Sequence, residues 1–221
     1  MLRPIGFAGL FFVFLVVVLF GSAGRIDWLM GWAFLGAYVA FMVMGFLLFD
    51  PELIRERSHI GAGAKRWDVA LASFSFIWLF PLALIVAGLD AGRFGWSPPL
   101  PAVLEILALV VFVIATAFAF WAVWTNRFFS TFVRIQEERG HHVVTEGPYA
   151  YIRHPGYAGA ILATLALPLL LGSFWALIPA SIGSSLLVLR TFLEDRTLKE
   201  ELSGYREYAD RVRWLLLPGI W

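Results

Sequence analysis

The sequence predicts an all-α membrane protein with about six transmembrane helices, of which the last two form a tight hairpin followed by a cytoplasmic amphipathic helix. Hydrophobic residues make up 60% of the 221-residue chain, whereas about 45–50% is usual for soluble domains. The apolar residues lie in uncharged runs close to or above the roughly 20 residues that a spanning helix needs. In addition, the Lys and Arg residues fall almost entirely on one side of the predicted crossings.

Four uncharged runs in the first part of the chain predict the first four spans. The first run precedes Arg25, and the others lie between Asp27 and Asp50, between Asp68 and Asp90, and between Glu105 and Arg127. We expect the first run to be a retained span rather than a cleaved signal peptide, because another apolar run follows it almost at once.

A longer uncharged run, between Arg153 and Arg190, predicts the helical hairpin. Pro168 and the pair Gly172-Ser173 lie near its middle, and these residue types are turn signals. The run is therefore predicted to form two short helices joined by a tight turn, each near the lower length limit for a span.

Six spans place both chain termini on the same side of the membrane. Of the 17 Lys and Arg residues, all but Arg25 and Arg93 then fall on that side, which the positive-inside rule assigns to the cytoplasm. Both ends of the hairpin also face this side. The polar residues at its two ends are therefore predicted to form one site at the membrane surface.

Composition argues against several other kinds of site. The chain contains no Cys, so it has no disulfide, thiolate metal ligand or Cys nucleophile. Its formal net charge of +1 gives no indication of nucleic-acid binding. His141 and His142 are adjacent rather than spaced as metal ligands usually are, so we expect solvated loop residues and no metal.

The first polar cluster contains Arg153, His154 and Pro155, at the start of the hairpin. Proline is favoured at the first position of a helix, so His154 is expected at the N-cap, where free N–H groups and the helix dipole attract anions. Three tyrosines flank the cluster: Tyr149, Tyr151 and Tyr157. Taken singly, the arginine and the tyrosines are more typical of a membrane interface than of a binding site.

The second polar cluster follows the hairpin. Arg196 and Glu200 are four residues apart and can meet on one helix face, Glu201 is next to them, and the hairpin returns all three towards His154. The segment 194–213 is predicted to be an amphipathic helix, with Gly204 as a candidate break. Its other charged residues are expected to form a solvated face: Glu194, Asp195, Lys199, Arg206 and Glu207.

Together these residues resemble a known family. The segment GPYAYIRHPGY (147–157), the apolar hairpin, DRT (195–197) with Glu200-Glu201, and YREY (205–208) are similar to isoprenylcysteine carboxyl methyltransferases and related phospholipid methyltransferases. The resemblance implies an integral-membrane methyltransferase that binds S-adenosylmethionine on the cytosolic side without a Rossmann domain. It also implies a division into N-terminal membrane helices (1–125, four spans) and a methyltransferase-like catalytic region (126–221).

The resemblance also implies site residues. Arg196 and Glu201 match the family pair near the transferred methyl group and the acceptor, so they are the catalytic candidates. The candidates for binding the cofactor are Tyr149, Arg153, His154, Pro155, Tyr157, Glu200, Tyr205 and Tyr208.

The implied acceptor is lipophilic and reaches the cytoplasmic face from the bilayer. It is a prenylcysteine-like carboxylate, a phospholipid amine, or a small lipophilic thiol or acid. Arg196 could orient a carboxylate bidentately, whereas Glu201 could accept a proton from an amine or hydroxyl. The sequence leaves these acceptors open.

Two other classes of protein remain as alternatives. NADPH-dependent membrane reductases of the sterol-reductase type have a similar Arg-x-Pro-x-Tyr-x-Gly segment and a tyrosine-containing tail, although the Arg-His-Pro and Glu-Glu pairs here favour the methyltransferase. The second alternative is a non-catalytic membrane scaffold. Polar clusters within membranes usually have a function, but that function need not be catalysis.

Overall fold

The computed structural model describes residues 2–220, with side chains from Gly6 onward, and over this range helices joined by loops form the whole fold. The helices are α1 (Leu2–Ala23), α2 (Leu29–Leu48), α3 (Pro51–Arg57), α4 (Arg66–Phe94), α5 (Ala102–Thr125), α6 (Pro155–Leu170), α7 (Leu177–Glu201) and α8 (Tyr205–Arg211). The long loop between α5 and α6 contains two short 3-10 turns, at Glu137–Arg139 and Gly147–Ala150. The predicted all-α fold is confirmed.

In residues 2–220, five helices are long and apolar enough to cross a membrane: α1, α2, α4, α5 and α7. The sixth predicted span is α6, which is apolar but has 16 residues. At 1.5 Å per residue it is about 24 Å long, which is less than the roughly 30 Å thickness of the hydrocarbon core. The chain is therefore an integral, multi-pass membrane protein with five full-length apolar helices and one shorter one.

The end of α7 differs from the prediction. We expected the hairpin to end near Arg190 and a separate amphipathic helix to begin at Glu194, but α7 continues without interruption to Glu201 and has 25 residues. The break comes at Gly204, whose φ of 79° lies in the left-handed region that glycine adopts readily. The chain turns there, so that α8 packs back against the end of α7 through Leu202 and Tyr205.

Small residues allow α5 and α6 to pack closely. A Cβ atom at Gly159 would lie 2.6 Å from the Ala115 carbonyl oxygen and 2.8 Å from the Ala119 Cβ, so glycine is required for this approach. Such small-residue contacts are typical of helix interfaces in membranes. This interface fixes the position of the N-terminal end of α6 relative to α5. It therefore also fixes the position of the first polar cluster.

A buried carboxylate ties the end of α4 to the turn between α6 and α7. Asp90 is fully buried and accepts hydrogen bonds of 2.6 Å from the Ser97 N–H, the Ser97 hydroxyl and the Ser173 hydroxyl. The Ser97 hydroxyl oxygen in turn accepts from the Phe174 N–H at 2.9 Å. Because a buried carboxylate is stable only when its oxygen atoms are hydrogen-bonded, this network holds the hairpin turn in place.

At the opposite end of the bundle, two buried ion pairs connect the long loop and α7 to the N-terminal half. Arg134 donates to Glu56 at 2.8 and 2.9 Å, and Arg190 donates to Asp68 at 2.6 and 2.8 Å. The pKa of Glu56 is lowered chiefly by its hydrogen bonds from Arg134, so this pair is ionised. The long loop is therefore fixed against the helices.

Replacing Asp90 with Ala is expected to lower the free energy of unfolding by about 2–4 kcal/mol, because two hydroxyl groups and one N–H lose their buried acceptor. Asp27→Ala is the control: the Asp27 side chain is 79% exposed and pairs with Arg25 at the surface, so we expect a change below about 0.5 kcal/mol. Thermal unfolding of the detergent-purified variants measures both effects. Equal losses in the two variants would contradict the role given to the Asp90 network.

Candidate functional site

The two polar clusters meet at a cavity bounded by the start of α6, the end of α7, α8 and the long loop between α5 and α6. Six of the predicted site residues line it: Tyr149, Arg153, His154, Tyr157, Tyr205 and Tyr208. Phe128, Phe129 and Phe132 of the long loop form much of the remaining wall, and α7 contributes Glu194 and Leu198. The cavity wall therefore combines aromatic rings with several polar and charged side chains, among them Arg134, His141 and His142.

Arg153 holds three parts of the chain together. Its Nε and Nη2 atoms donate to the two oxygen atoms of Asp195 at 2.8 and 3.3 Å. Its Nη1 atom donates to the carbonyl oxygens of Ala209, Val212 and Arg213 at 3.3, 2.9 and 3.1 Å. Each nitrogen of the guanidinium is thus directed at a protein acceptor, and these contacts fix the C-terminal segment against the start of α6.

Asp195 also orients the side chains of His154 and Tyr205. The Tyr205 hydroxyl donates to Asp195 Oδ1 at 3.0 Å and lies 3.3 Å from His154 Nε2. His154 Nε2 is 3.5 Å from the same Asp195 oxygen, and Lys199 Nζ is 2.7 Å from the other. Asp195 is 4% exposed, so this buried carboxylate positions two residues of the cavity wall.

Tyr149 and Tyr208 form a second buried pair in the wall. The Tyr208 hydroxyl donates to the Tyr149 carbonyl oxygen at 2.7 Å, and the Tyr149 hydroxyl donates to the Ala122 carbonyl oxygen at 3.3 Å. Burial raises the pKa of both phenols. Both tyrosines are therefore neutral at physiological pH.

Tyr157 and Glu194 bring a carboxylate to the cavity. The Tyr157 hydroxyl donates to Glu194 Oε2 at 2.6 Å, and the Arg190 guanidinium lies 5.4 Å from the centre of the Tyr157 ring. Glu194 lines the cavity and forms no salt bridge with any of residues 6–220. This carboxylate is therefore available to a cationic group of a ligand.

The start of α6 has one backbone N–H group left for a ligand. Pro155 has none, and the N–H groups of Tyr157 and Ala158 both donate to the His154 carbonyl oxygen at 3.1 Å. The remaining group of this first turn belongs to Gly156, which lines the cavity. Pro155 thus begins the helix as predicted, but its own atoms lie outside the cavity wall.

The other three predicted residues also lie outside the cavity wall. Arg196 donates to Glu200 at 2.9 Å, with side chains 69% and 54% exposed, and Glu201 accepts from Lys65 at 2.6 and 2.7 Å. For Arg196 and Glu200 the reason is the phase of the helix, whereas Glu201, on nearly the same face as Glu194, is held outside the cavity wall by Lys65. At about 100° per residue, Arg196 is about 200° around α7 from Glu194, so the face that presents Glu194 to the cavity directs Arg196 away from it.

Comparison with known proteins shows which family this region resembles. Residues 106–203 match the model of the isoprenylcysteine carboxyl methyltransferase family. This part of the chain is therefore similar to that family. The predicted resemblance is therefore confirmed, and the matched region contains the long loop, α6 and α7, which supply most of the cavity wall.

Curated relatives support the same assignment. The chain is 34% identical over 91 residues to the protein-S-isoprenylcysteine O-methyltransferase of Schizosaccharomyces pombe, covering 38% of this chain and 36% of that protein. It is 32% identical over 114 residues to a probable protein-S-isoprenylcysteine O-methyltransferase of Oryza sativa subsp. indica, covering 48% of this chain and 57% of that protein. The chain thus spans between about one third and just over half of the length of these relatives.

Four residues of the site differ from the sequence prediction. Asp195 and Glu194 were expected on a solvated helix face and His141 and His142 in a solvated loop, but Asp195 is buried and the other three line the cavity. The usable signal was spacing: Glu194, Leu198 and Leu202 recur every four residues and therefore share one helix face. All three line the cavity. The two leucines, Leu198 and Leu202, therefore indicate that Glu194 is the carboxylate on the inward face.

His141 is held neutral in the cavity wall. Its ring centroid lies 4.6 Å from that of Phe128, and its Nδ1 atom accepts from the Gln136 N–H at 3.2 Å. Burial, followed by the neighbouring His142 and Arg134, lowers the pKa of His141 from 6.5 to about 4. His141 therefore acts as a hydrogen-bond acceptor that closes the loop.

We expect Arg153→Gln to release the C-terminal segment, because it leaves Asp195 buried without its main cation and three carbonyl oxygens without their donor. The free energy that holds this segment in place is expected to fall by about 3–5 kcal/mol. Limited trypsin digestion detects the release through cleavage at Arg206, Arg211 and Arg213, all of which are exposed. Arg196→Gln, an exposed arginine of the same family motif, is the control; equal cleavage in the two variants would contradict the clamp.

The stability contribution of His141 is expected to depend on pH. Since the pKa is about 4 in the folded protein against an ordinary value of 6.5, the unfolded chain binds an extra proton between these values. The contribution is complete above about pH 6.5 and is lost as the pH falls towards 4. From pH 7 to pH 5, we expect the wild type to lose about 1–2 kcal/mol more than His141→Gln, allowing for partial solvent screening.

Thermal unfolding at the two pH values measures this difference. His142→Gln is the matched control, because His142 is the adjacent residue and is exposed; it should follow the wild type. Identical pH dependence in the wild type and His141→Gln would show that His141 titrates normally.

Proposed function

We propose that the protein is an S-adenosylmethionine-dependent methyltransferase that methylates the carboxylate of a lipophilic, isoprenylcysteine-type acceptor. The curated relatives are named as protein-S-isoprenylcysteine O-methyltransferases, and the family match supports the same reaction. The observation that carries the proposal is that the family-matched region folds around a cavity at one end of the apolar helices, with Glu194 available in its wall.

The residues of the cavity fit this cofactor. S-adenosylmethionine carries an ammonium group and a sulfonium, and the Glu194 carboxylate is suited to either. The carboxylate of S-adenosylmethionine matches the free N–H of Gly156 next to His154. Aromatic rings such as that of Phe132 suit the adenine. Tyr149, Tyr157, Tyr205 and Tyr208 complete the proposed binding wall, whereas Arg153 acts by holding it together.

When bound, S-adenosylmethionine supplies a methyl group that is already attached to an excellent leaving group. The protein then mainly has to align the acceptor and exclude water, which well-oriented sites achieve without further covalent chemistry. A carboxylate acceptor is already a nucleophile and needs no general base. This agrees with His154, whose Nε2 atom lies beside Tyr205 and Asp195 rather than alone in the cavity.

The remaining features of the sequence prediction are part of the proposal. The catalytic region is 126–221, and the termini and the cavity lie on the cytoplasmic side, because this orientation leaves Arg25 and Arg93 alone on the other side. Arg196 and Glu201 remain the predicted catalytic residues. For a role at the acceptor, Arg196 would have to leave its partner Glu200, and Glu201 would have to leave Lys65. A phospholipid amine or a lipophilic thiol is the alternative acceptor.

Calorimetric titration of the detergent-purified protein with S-adenosylmethionine and S-adenosylhomocysteine tests the cofactor assignment, with NADPH as a parallel ligand. We expect Glu194→Gln to weaken S-adenosylmethionine binding by about 10- to 100-fold, since a charge-assisted contact is lost. Glu207→Gln, an exposed carboxylate of α8, is the control and should bind like the wild type. Glu200→Gln tests the residue predicted from the family motif in the same assay.

Each result has a distinct meaning. A larger effect of Glu194→Gln on S-adenosylmethionine than on S-adenosylhomocysteine would indicate that this carboxylate faces the sulfonium. Binding of NADPH alone by the wild type would contradict the methyltransferase and favour a reductase, and binding of neither ligand would favour a scaffold.

A further inference from the structure

Arg57, at the end of α3, is a partly buried cation that the proposed function does not use. Its Nη1 atom is buried and has no hydrogen-bond partner within the part of the chain that the structure describes. A buried N–H without a partner is costly, and most such groups in folded proteins are satisfied. The unpaired Nη1 group of Arg57 therefore suggests a partner that binds from outside the chain.

Arg57 adjoins the long-loop wall of the cavity. Its guanidinium carbon lies 5.0 Å from the centre of the Phe129 ring, and its carbonyl oxygen accepts from the Thr131 hydroxyl at 2.7 Å. Phe129, Ser130 and Phe132, on either side of Thr131, line the cavity. Arg57 is thus next to the cavity although it belongs to the N-terminal half of the chain.

Electrostatics points to the same location. Burial lowers the pKa of Arg57, and the phenol groups of Tyr157 and Tyr149 act on it in the opposite direction. Both tyrosines line the cavity. Arginine remains charged at physiological pH even when it is buried, so a positive charge lies close to this part of the wall.

The other buried or partly buried cations around the cavity already have carboxylate partners. Arg134 pairs with Glu56, Arg153 with Asp195, and Arg190 with Asp68. Lys65 and Lys199 pair with Glu201 and Asp195 in the same way. Within residues 6–220, Arg57 forms no salt bridge. Unlike these cations, it can therefore pair its charge and its N–H donors with an anionic ligand.

We infer that Arg57 is the residue that binds the carboxylate of the methyl acceptor, alongside Phe129. The inference rests on the proposed function, and it explains why a partly buried guanidinium with an unpaired, buried Nη1 atom is kept in the fold. A guanidinium can hold a carboxylate through two parallel hydrogen bonds and so orient its oxygen atoms. The carboxylate of S-adenosylmethionine offers the same chemistry, so the test must separate the two sources.

The test uses N-acetyl-S-farnesyl-cysteine and its carboxamide, which differ in the charge of one group. We expect the wild type to bind the acid at least about tenfold more tightly than the amide, and R57Q to reduce this ratio to about one. R57K, which keeps the charge but not the fork of donors, should give an intermediate ratio. S-adenosylhomocysteine should bind equally to all variants.

R55Q is the matched control, because Arg55 lies in the same helix with its side chain 76% exposed; it should keep the wild-type ratio. Thermal unfolding of R57Q without ligand should give a midpoint equal to or above that of the wild type, since an unpaired buried charge is removed. A purely structural role for Arg57 would lower that midpoint and leave the ratio unchanged.

Three results would overturn the inference: an unchanged ratio in R57Q, weaker S-adenosylhomocysteine binding in R57Q with the ratio retained, or the same loss in R55Q. Methyl transfer from labelled S-adenosylmethionine separates this inference from the proposed function. If the wild type transfers methyl to the acid while R57Q keeps the wild-type ratio, the inference alone fails. If the wild type transfers no methyl to the acid, the proposed function fails.

Discussion

The site depends on the ion pair between Arg153 and Asp195. In surroundings that exclude water, a guanidinium is stable only when its N–H groups find acceptors, and Arg153 finds them in α7 and in the segment that follows α8. This requirement brings together parts of the chain that are some 40 to 60 positions apart. The walls formed by His154, Tyr205 and Tyr208 follow from it. The Arg-His-Pro segment thus has an architectural role in addition to the proposed role in ligand binding.

The same rule joins the site to the rest of the molecule. Glu56 and Asp68 lie before the proposed catalytic region 126–221, yet each accepts a buried arginine from it, Arg134 and Arg190 respectively. The division at residue 125 therefore separates two sequence patterns, while the ion pairs cross it. Helix α3 and the start of α4 therefore support the cavity, although they lie outside the region 106–203 matched by the family model.

Hydropathy predicted the spans because each apolar run must reach across the bilayer. Of the two predicted turn signals, Gly172 lies in the hairpin turn, whereas Pro168 lies inside α6. Hydropathy could not predict that α7 continues to Glu201, because charged residues end a hydropathy signal without ending a helix. The motif residues were found by type, but adjacent charges such as Asp195 and Arg196 differ by about 100° in direction. Which of them faces inward depends on the phase of α7, which tertiary packing sets.

The distribution of charge around the cavity bears on the choice of acceptor. Glu194 lies in one wall, where a cationic methyl donor would be favoured, and Arg57 adjoins another wall, where an anionic acceptor would be favoured. A neutral amine or thiol would leave the buried Nη1 atom of Arg57 unpaired, at a continuing cost in free energy. It would also require a base to remove its proton. A carboxylate satisfies the guanidinium and requires no base, so it accounts for the charge on Arg57, while the cationic methyl donor accounts for Glu194.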